Sequence, residues 1–265
     1  MIHLDRIEKT YFSKEGDVHA IGNVTATIDA GEFVSIVGPS GCGKSTLLHL
    51  IAGFDDPTGG EIMIDGRHVV RGTVPKGLGY IFQKDTVLPW KRVRENVALG
   101  LAYRRAPAHV VAQKVAALLK LGNLEGFGES YPHQLSGGMR RRVALLMTLA
   151  CDPQVLLLDE PFGALDTHTR TLLHRELIGI WREMRQTVVL VTHDLDEAVT
   201  LSDRIIVLSR PPSRILLDHR VTIPQPRDVF SVRDTPAFTE NFRTIWRVLG
   251  EEFREDAQAA ARTHA

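Results

Sequence analysis

Apolar and polar positions along the chain alternate between two patterns. Short runs rich in β-branched residues occur within residues 1–10, at Val24-Thr25-Ala26-Thr27-Ile28 and at Phe33-Val34-Ser35-Ile36-Val37, and further apolar runs follow at 155–158, 188–192 and 205–208. Such runs predict strands, and those that are apolar at every position suit strands covered on both faces. Between them the spacing changes. Leu47, Leu48 and Ile51 fit a buried helix over 46–52, and Val111, Val115, Leu118 and Leu119 repeat at i, i+4, i+7 and i+8. Leu172, Leu173, Leu177, Ile180, Trp181 and Met184 mark a further helix, and Asp194 with Glu197 three residues on reads as a helix start. Residues 93 to about 135 read as a helical insertion. Strands alternating with helices predict an α/β fold with a largely parallel sheet.

From Arg210 the grammar changes. Pro211, Pro212, Pro224, Pro226 and Pro236 predict an extended crossing segment. Phe238, Phe242, Ile245, Trp246, Leu249 and Phe253 then line one face of a last helix, which either caps the core or carries a regulatory or dimer contact.

Composition narrows the classes. The 265 residues suit one large domain or a domain with a modest second lobe, and 43% hydrophobic content supports a sizeable core. Lys+Arg and Asp+Glu balance at 32 each, without the basic excess of a nucleic-acid protein, so no nucleic-acid partner is expected. No uncharged apolar stretch reaches the ~18 residues of a membrane span. The N-terminus lacks the uninterrupted apolar core of a signal peptide. A cytoplasmic protein is expected, with Cys42 and Cys151 reduced.

The chemistry begins at Gly38-Pro39-Ser40-Gly41-Cys42-Gly43-Lys44-Ser45, which fits G-x-x-x-x-G-K-[ST] between a predicted strand and helix. Glycines let backbone N–H groups turn inward around phosphates, and the helix N-terminus adds positive potential. Lys44 can reach the outer phosphates, and the Ser45 hydroxyl can hold Mg²⁺. This loop alone leaves kinases, GTPases, helicases and transporters open. Cys42, between Lys44 and a helix N-terminus, is expected to be the more reactive cysteine. Leu135-Ser136-Gly137-Gly138 precedes a helical run and reads either as a second anion-binding helix start or as a plain cap. Asp159 and Glu160 close the strand at 155–158, where ligands meet open α/β sheets. His193 follows the run at 188–192.

A phosphate loop followed about ninety residues later by Leu-Ser-Gly-Gly resembles the ABC ATPase family, from Tyr11 to about Leu208. The resemblance implies an α/β P-loop NTPase with a mostly parallel sheet core, an antiparallel β part and a helical subdomain. It implies an ATPase domain over 1–238, the helical subdomain at about 84–150 within it, and a C-terminal helix and tail over 239–265. It implies ATP held by residues 38–45 with Thr46, and a head-to-tail dimer in which Ser136, Gly137 and Gly138 close over the partner's nucleotide. Asp159, Gln83 and Ser45 resemble the Mg²⁺-holding positions, Glu160 the residue that polarises water, and His193 the switch that meets the γ-phosphate. Asp166, in Ala164-Leu165-Asp166, resembles the loop linking the two sites. Tyr11 resembles the aromatic that stacks on adenine, and neighbouring Phe12 can substitute.

Two departures stand out. The family often reads a glutamine between arginines after Leu-Ser-Gly-Gly, where this chain has Arg140-Arg141-Arg142, expected to be a solvated face. It also has Leu146-Met147-Thr148-Leu149 where the family often reads Ala-Arg-Ala-Leu. The segment Val87-Leu88-Pro89-Trp90 is similar to the nitrate, sulfonate and taurine importer branch. That branch implies a separate membrane permease, a second ATPase subunit, a solute-binding protein acting indirectly, and residence at the cytoplasmic face of the inner membrane. Trp90 is either an interface anchor or a core residue of the lobe.

Overall fold

The computed structural model describes residues 1–84, 86–163, 167–225 and 227–263. Two compact units emerge, residues 1–76 with 185–265, and residues 77–184. In chain order the first unit opens with β1 (Ile2–Tyr11), β2 (Val18–Ile28), β3 (Phe33–Val37), α1 (Lys44–Ile51), β4 (Gly59–Ile64) and β5 (Arg67–His68). The second unit holds β6 (Leu78–Ile81), α2 (Val93–Val97), α3 (Leu99–Tyr103), α4 (Ala108–Leu121), α5 (Gly137–Leu149), β7 (Val155–Asp159) and α6 (Thr167–Met184). The chain returns to the first unit with β8 (Thr187–Val191), α7 (Leu195–Leu201), β9 (Arg204–Leu208), β10 (Ile215–Arg220) and α8 (Pro236–Thr263).

In the first unit, Ile2, Leu4 and Ile7 of β1 point inward at near-alternate positions, and an antiparallel sheet forms in the order β2-β1-β4-β5. Its register sets Ile2 against both Ile28 and Ile64. β3 has no solvent face, and parallel strands flank it on both sides. Phe33 pairs with Val188 of β8, and Val34 with Arg204 of β9. Every residue of β3 and β8 is buried, and each such aliphatic side chain contributes about 1.5–3 kcal/mol when removed from water. Ser35, the one polar residue of β3, pairs its hydroxyl with Ser202. Asp194 caps α7 by accepting from the Asp196 and Glu197 amides at 2.9 and 3.2 Å. Glu197 does not reach back to the cap; it accepts from Thr192 Oγ1 at 2.6 Å.

In the second unit, β6 and β7 run parallel, with Leu78 opposite Val155 and Ile81 opposite Leu158. Val115, Leu118 and Leu119 are the buried face of α4, as their spacing predicts. No described helix is long and apolar enough to cross a membrane.

Two expectations need correction, and a third is refined. The arginine triplet is not a solvated face. Arg141 is only 7% exposed, and Arg142 Nε lies 3.2 Å from Glu176, both side chains largely covered. The aromatic residues of α8 do line one face, Phe238, Phe242, Trp246 and Phe253 lying ring against ring in succession, but that face is only partly buried. Phe238, Ile245 and Leu249 pack into a core with Val37, Leu195 and Val207, whereas Trp246 and Phe253 are exposed and lie against each other, ring centroids 6.1 Å apart. The segment after Arg210 is not extended crossing chain throughout, because β10 pairs antiparallel with β9.

Candidate functional site

The first unit builds one cluster at the carboxyl ends of β3 and β8. These strands are in register, Ile36 beside Val191, so the phosphate-binding loop and His193 leave the sheet at the same edge. Gly38 ends β3 where any side chain would collide, since a Cβ there would lie 2.7 Å from Cys42 Sγ and 2.8 Å from the Leu208 carbonyl oxygen. Gly43, at φ 90°, turns the chain through the left-handed region directly into α1. The first amides of α1 therefore face outward without intrahelical partners.

Lys44 is buried and curls back over this loop. Its Nζ donates to the Gly38 and Pro39 carbonyl oxygens, each at 2.8 Å. Among the described residues no carboxylate pairs with this ammonium. A buried cation met by carbonyls and set beside a helix N-terminus is a phosphate site in both charge and donor type. Ser40 and Gly41 are exposed on the loop, and Ser45 and Thr46 are half-buried in the first turn of α1. Tyr11, 41% exposed at the end of β1, reaches the same turn, its hydroxyl 3.5 Å from Thr46 Oγ1. Lys9 Nζ sits 5.0 Å from the centre of its ring. Phe12 is more exposed still. His193 is exposed beside the capped start of α7.

Cys42 departs from expectation. It is fully buried, and burial pushes its thiol above the ordinary range, with Lys44 pulling the other way. The side chain packs under Gly38 instead of facing the loop's mouth.

The second unit builds another cluster at the ends of β6 and β7. Because Ile81 pairs with Leu158, Gln83 and Glu160 emerge side by side, and Gln83 Nε2 donates to Glu160 Oε2 at 3.0 Å. Asp159 is buried, and Tyr80 Oη donates to its Oδ2 at 3.2 Å. Burial, then the charge of Asp159, holds the Tyr80 phenol far above its ordinary range, so it stays a donor. Glu160 has φ 43°, a left-handed conformation that costs a non-glycine residue on the order of 1–3 kcal/mol and concentrates at functional sites. Within this unit Asp159 and Gln83 carry carboxylate and amide oxygens, hard donors of the kind Mg²⁺ takes while keeping several waters, and in the first unit Ser45 carries a hydroxyl of the same kind.

Ser136 caps α5, its Oγ accepting from the Met139 amide at 3.2 Å. Gly137 beside it is exposed and Gly138 is buried. Ala164, Leu165 and Asp166 lie outside the described residues. Sequence reading missed Tyr80 and Arg141. Tyr80 is visible only once β6 is paired with β7, and Arg141 was hidden in a run of like charges.

Comparison with known proteins agrees with this arrangement. Residues 21–163 match the ABC transporter family. The chain is 44% identical over 256 residues to an aliphatic sulfonates import ATP-binding protein, SsuB, of Bacillus cereus, covering 95% of each. It is 37% identical over 265 residues to the nitrate import ATP-binding protein NrtD of Synechocystis, covering 98% of this chain and 99% of that one. A dimeric post-hydrolysis structure of the ATP-binding cassette MJ0796 with ADP and Pi is 34% identical, with a TM-score of 0.74 over 84% of this chain and 100% of that chain. The loop that ends β3, the acidic pair that ends β7 and the Ser-Gly-Gly start of α5 thus have one common explanation: the chain belongs to the ABC transporter family, as one of its ATP-binding proteins.

Proposed function

We propose that this ATPase energises an importer for a small anionic or zwitterionic solute, a sulfonate, taurine or nitrate, through a separate permease. The observation that carries the catalytic half is the strained Glu160, held by Gln83 beside the buried Asp159. In this reading residues 38–46 bind the phosphates of ATP, with Lys44 exchanging its two carbonyl partners for phosphate oxygens. Tyr11 supplies a face for adenine. Ser45, Gln83 and Asp159 hold Mg²⁺, which neutralises charge on the outer phosphates when bound. Glu160 orients the attacking water and takes its proton. The water oxygen bonds to the γ-phosphorus, the bond to the bridging oxygen breaks, and ADP and phosphate leave. His193 contacts the γ-phosphate and reports its presence. Ser136, Gly137, Gly138 and Asp166 act across a dimer of two such chains.

The permease end rests on the second unit. An apolar groove of about 650 Å³ runs between α2, α3 and α4, floored by residues such as Ala98, Ala102, Val115 and Leu119 and rimmed by Arg94 and Glu129. A short amphipathic helix of the permease fits it in size and character. Trp90 lies earlier on the same segment and is 71% exposed, which favours the anchor reading over the core reading. Docking there makes the protein peripheral to the cytoplasmic face of the inner membrane.

The solute is supported by the importers named above and by Leu88-Pro89-Trp90. A deletion strain carrying Trp90→Ala should lose growth on alkanesulfonates or taurine as sole sulfur source, or on nitrate as sole nitrogen source, while the purified variant keeps ATP binding. Unimpaired growth of the full deletion on all three, with no redundant importer, would overturn the solute assignment. It would leave the ATPase untouched.

A further inference from the structure

Arg141 sits in the second turn of α5 and is buried. Its guanidinium reaches two separate stretches of backbone. Nε donates to the Pro161 carbonyl oxygen at 2.5 Å, and Nη1 lies 3.4 Å from the Gln83 carbonyl oxygen. Pro161 directly follows the left-handed Glu160, and the Gln83 side chain is the donor to the Glu160 carboxylate. The two carbonyls bridged by Arg141 therefore belong to the two segments that bring Gln83 and Glu160 together. Ile81, Leu145 and Phe162 line a small apolar pocket together with Arg141 and Pro161.

A planar guanidinium with donors in a fixed fork suits this task, and an ammonium or a single amide does not. The burial of a charged group makes the arrangement costly unless its donors are met. Both of these contacts are to main-chain oxygens, and what they hold is the course of the backbone.

We infer that Arg141 is a positioning residue for hydrolysis: it pins the backbone on either side of the Gln83–Glu160 pair, and so fixes where the Glu160 carboxylate meets water. The inference rests on Glu160 as the group that activates water. It also ties the start of α5, which carries Ser136, to the loop after Gln83, so that the signature helix and the catalytic carboxylate share one bracket.

Steady-state ATPase of the full-length chain tests it, with Arg141→Met, Arg141→Gln and Glu160→Gln measured side by side. A misplacement on the scale of 1 Å costs about a hundredfold in rate, so Arg141→Met should lower kcat by about ten- to a hundredfold. KM for ATP should stay within about twofold, the pattern of an interaction made only in the transition state. Arg141→Gln keeps one donor for the Pro161 carbonyl and should recover part of the loss. Wild-type kcat in Arg141→Met overturns the inference. So does a rise in KM that follows a fall in thermal stability, the mark of mere structural support. Should Arg141→Met fail to fold, Arg141→Lys replaces it: charge kept and fork lost, it should show the same kcat loss at constant KM, and wild-type kcat there is again contrary. Normal turnover in Glu160→Gln would instead remove the underlying role of Glu160, whatever the Arg141 variants do.

Discussion

In the proposed function, two single side chains separate holding ATP from using it. Lys44 is a buried ammonium whose only described donations are to carbonyls of its own loop and the Cys42 sulfur. A charge-assisted bond to phosphate contributes about 1.5–3 kcal/mol, so Lys44→Ala should weaken ATP affinity by roughly ten- to more than a hundredfold. His193 leaves the adjacent strand and is exposed, so His193→Ala should keep affinity closer to normal while turnover falls. Equilibrium binding of a fluorescent ATP analogue distinguishes the two, and equal losses of affinity would contradict the assignment. Cysteine reactivity follows burial here. With Cys42 buried and its thiol raised, the half-buried Cys151 should react first with maleimide at neutral pH. Peptide mapping by mass spectrometry reads the order, and faster labelling of Cys42 would mean the loop opens far more than the structure implies. The sequence placed Cys42 beside a lysine and a helix start but held nothing to indicate that its sulfur packs beneath Gly38.

At the level of elements, one arginine gathers the carbonyls at the end of α7. Arg227 is buried, and its Nη1 donates to the carbonyl oxygens of Val199, Thr200 and Ser202, the last at 2.6 Å. Nε and Nη2 donate to Ile223. Burial lowers its pKa while Asp203 opposes that. These carbonyls close the C-terminal turn of α7, where an unmet buried acceptor costs about 1–3 kcal/mol. Arg227→Ala should therefore lower unfolding free energy by on the order of 3 kcal/mol in urea titrations, and Arg227→Lys should recover less than half of it. A change under about 0.5 kcal/mol, the usual size for a surface substitution, would show the arginine to be dispensable. Elements differed in how far they could be read beforehand. β3, β7 and β8 were legible because strands covered on both faces read as nearly continuous apolar runs, interrupted here only by Ser35, the closing Asp159 and the leading Thr187. β10 was not, since Ile215–Arg220 is an edge strand of mixed polarity and follows two prolines. β6 is short and contains Gly79, so its pairing with β7, and with it the Tyr80–Asp159 bond, had no pattern to announce it.

For the whole molecule, the order of motifs spoke more clearly than any one of them. The phosphate loop is shared by many enzymes, and it gained a definite meaning from Leu135-Ser136-Gly137-Gly138, Asp159-Glu160 and His193 at their places along the chain. The solute was less legible for a physical reason: an ATPase subunit touches nucleotide and permease, while solute contacts belong to other chains. In the proposed function Glu160 is the group that turns bound ATP into hydrolysed ATP. General-base contributions are typically about 10²–10⁴-fold in rate. The most direct measurement is single-turnover hydrolysis by Glu160→Gln with saturating Mg-ATP, alongside mass by light scattering. The expected result is that rate loss with ATP still bound and the mass doubled to a dimer, and near-normal hydrolysis by Glu160→Gln would contradict the role proposed for Glu160.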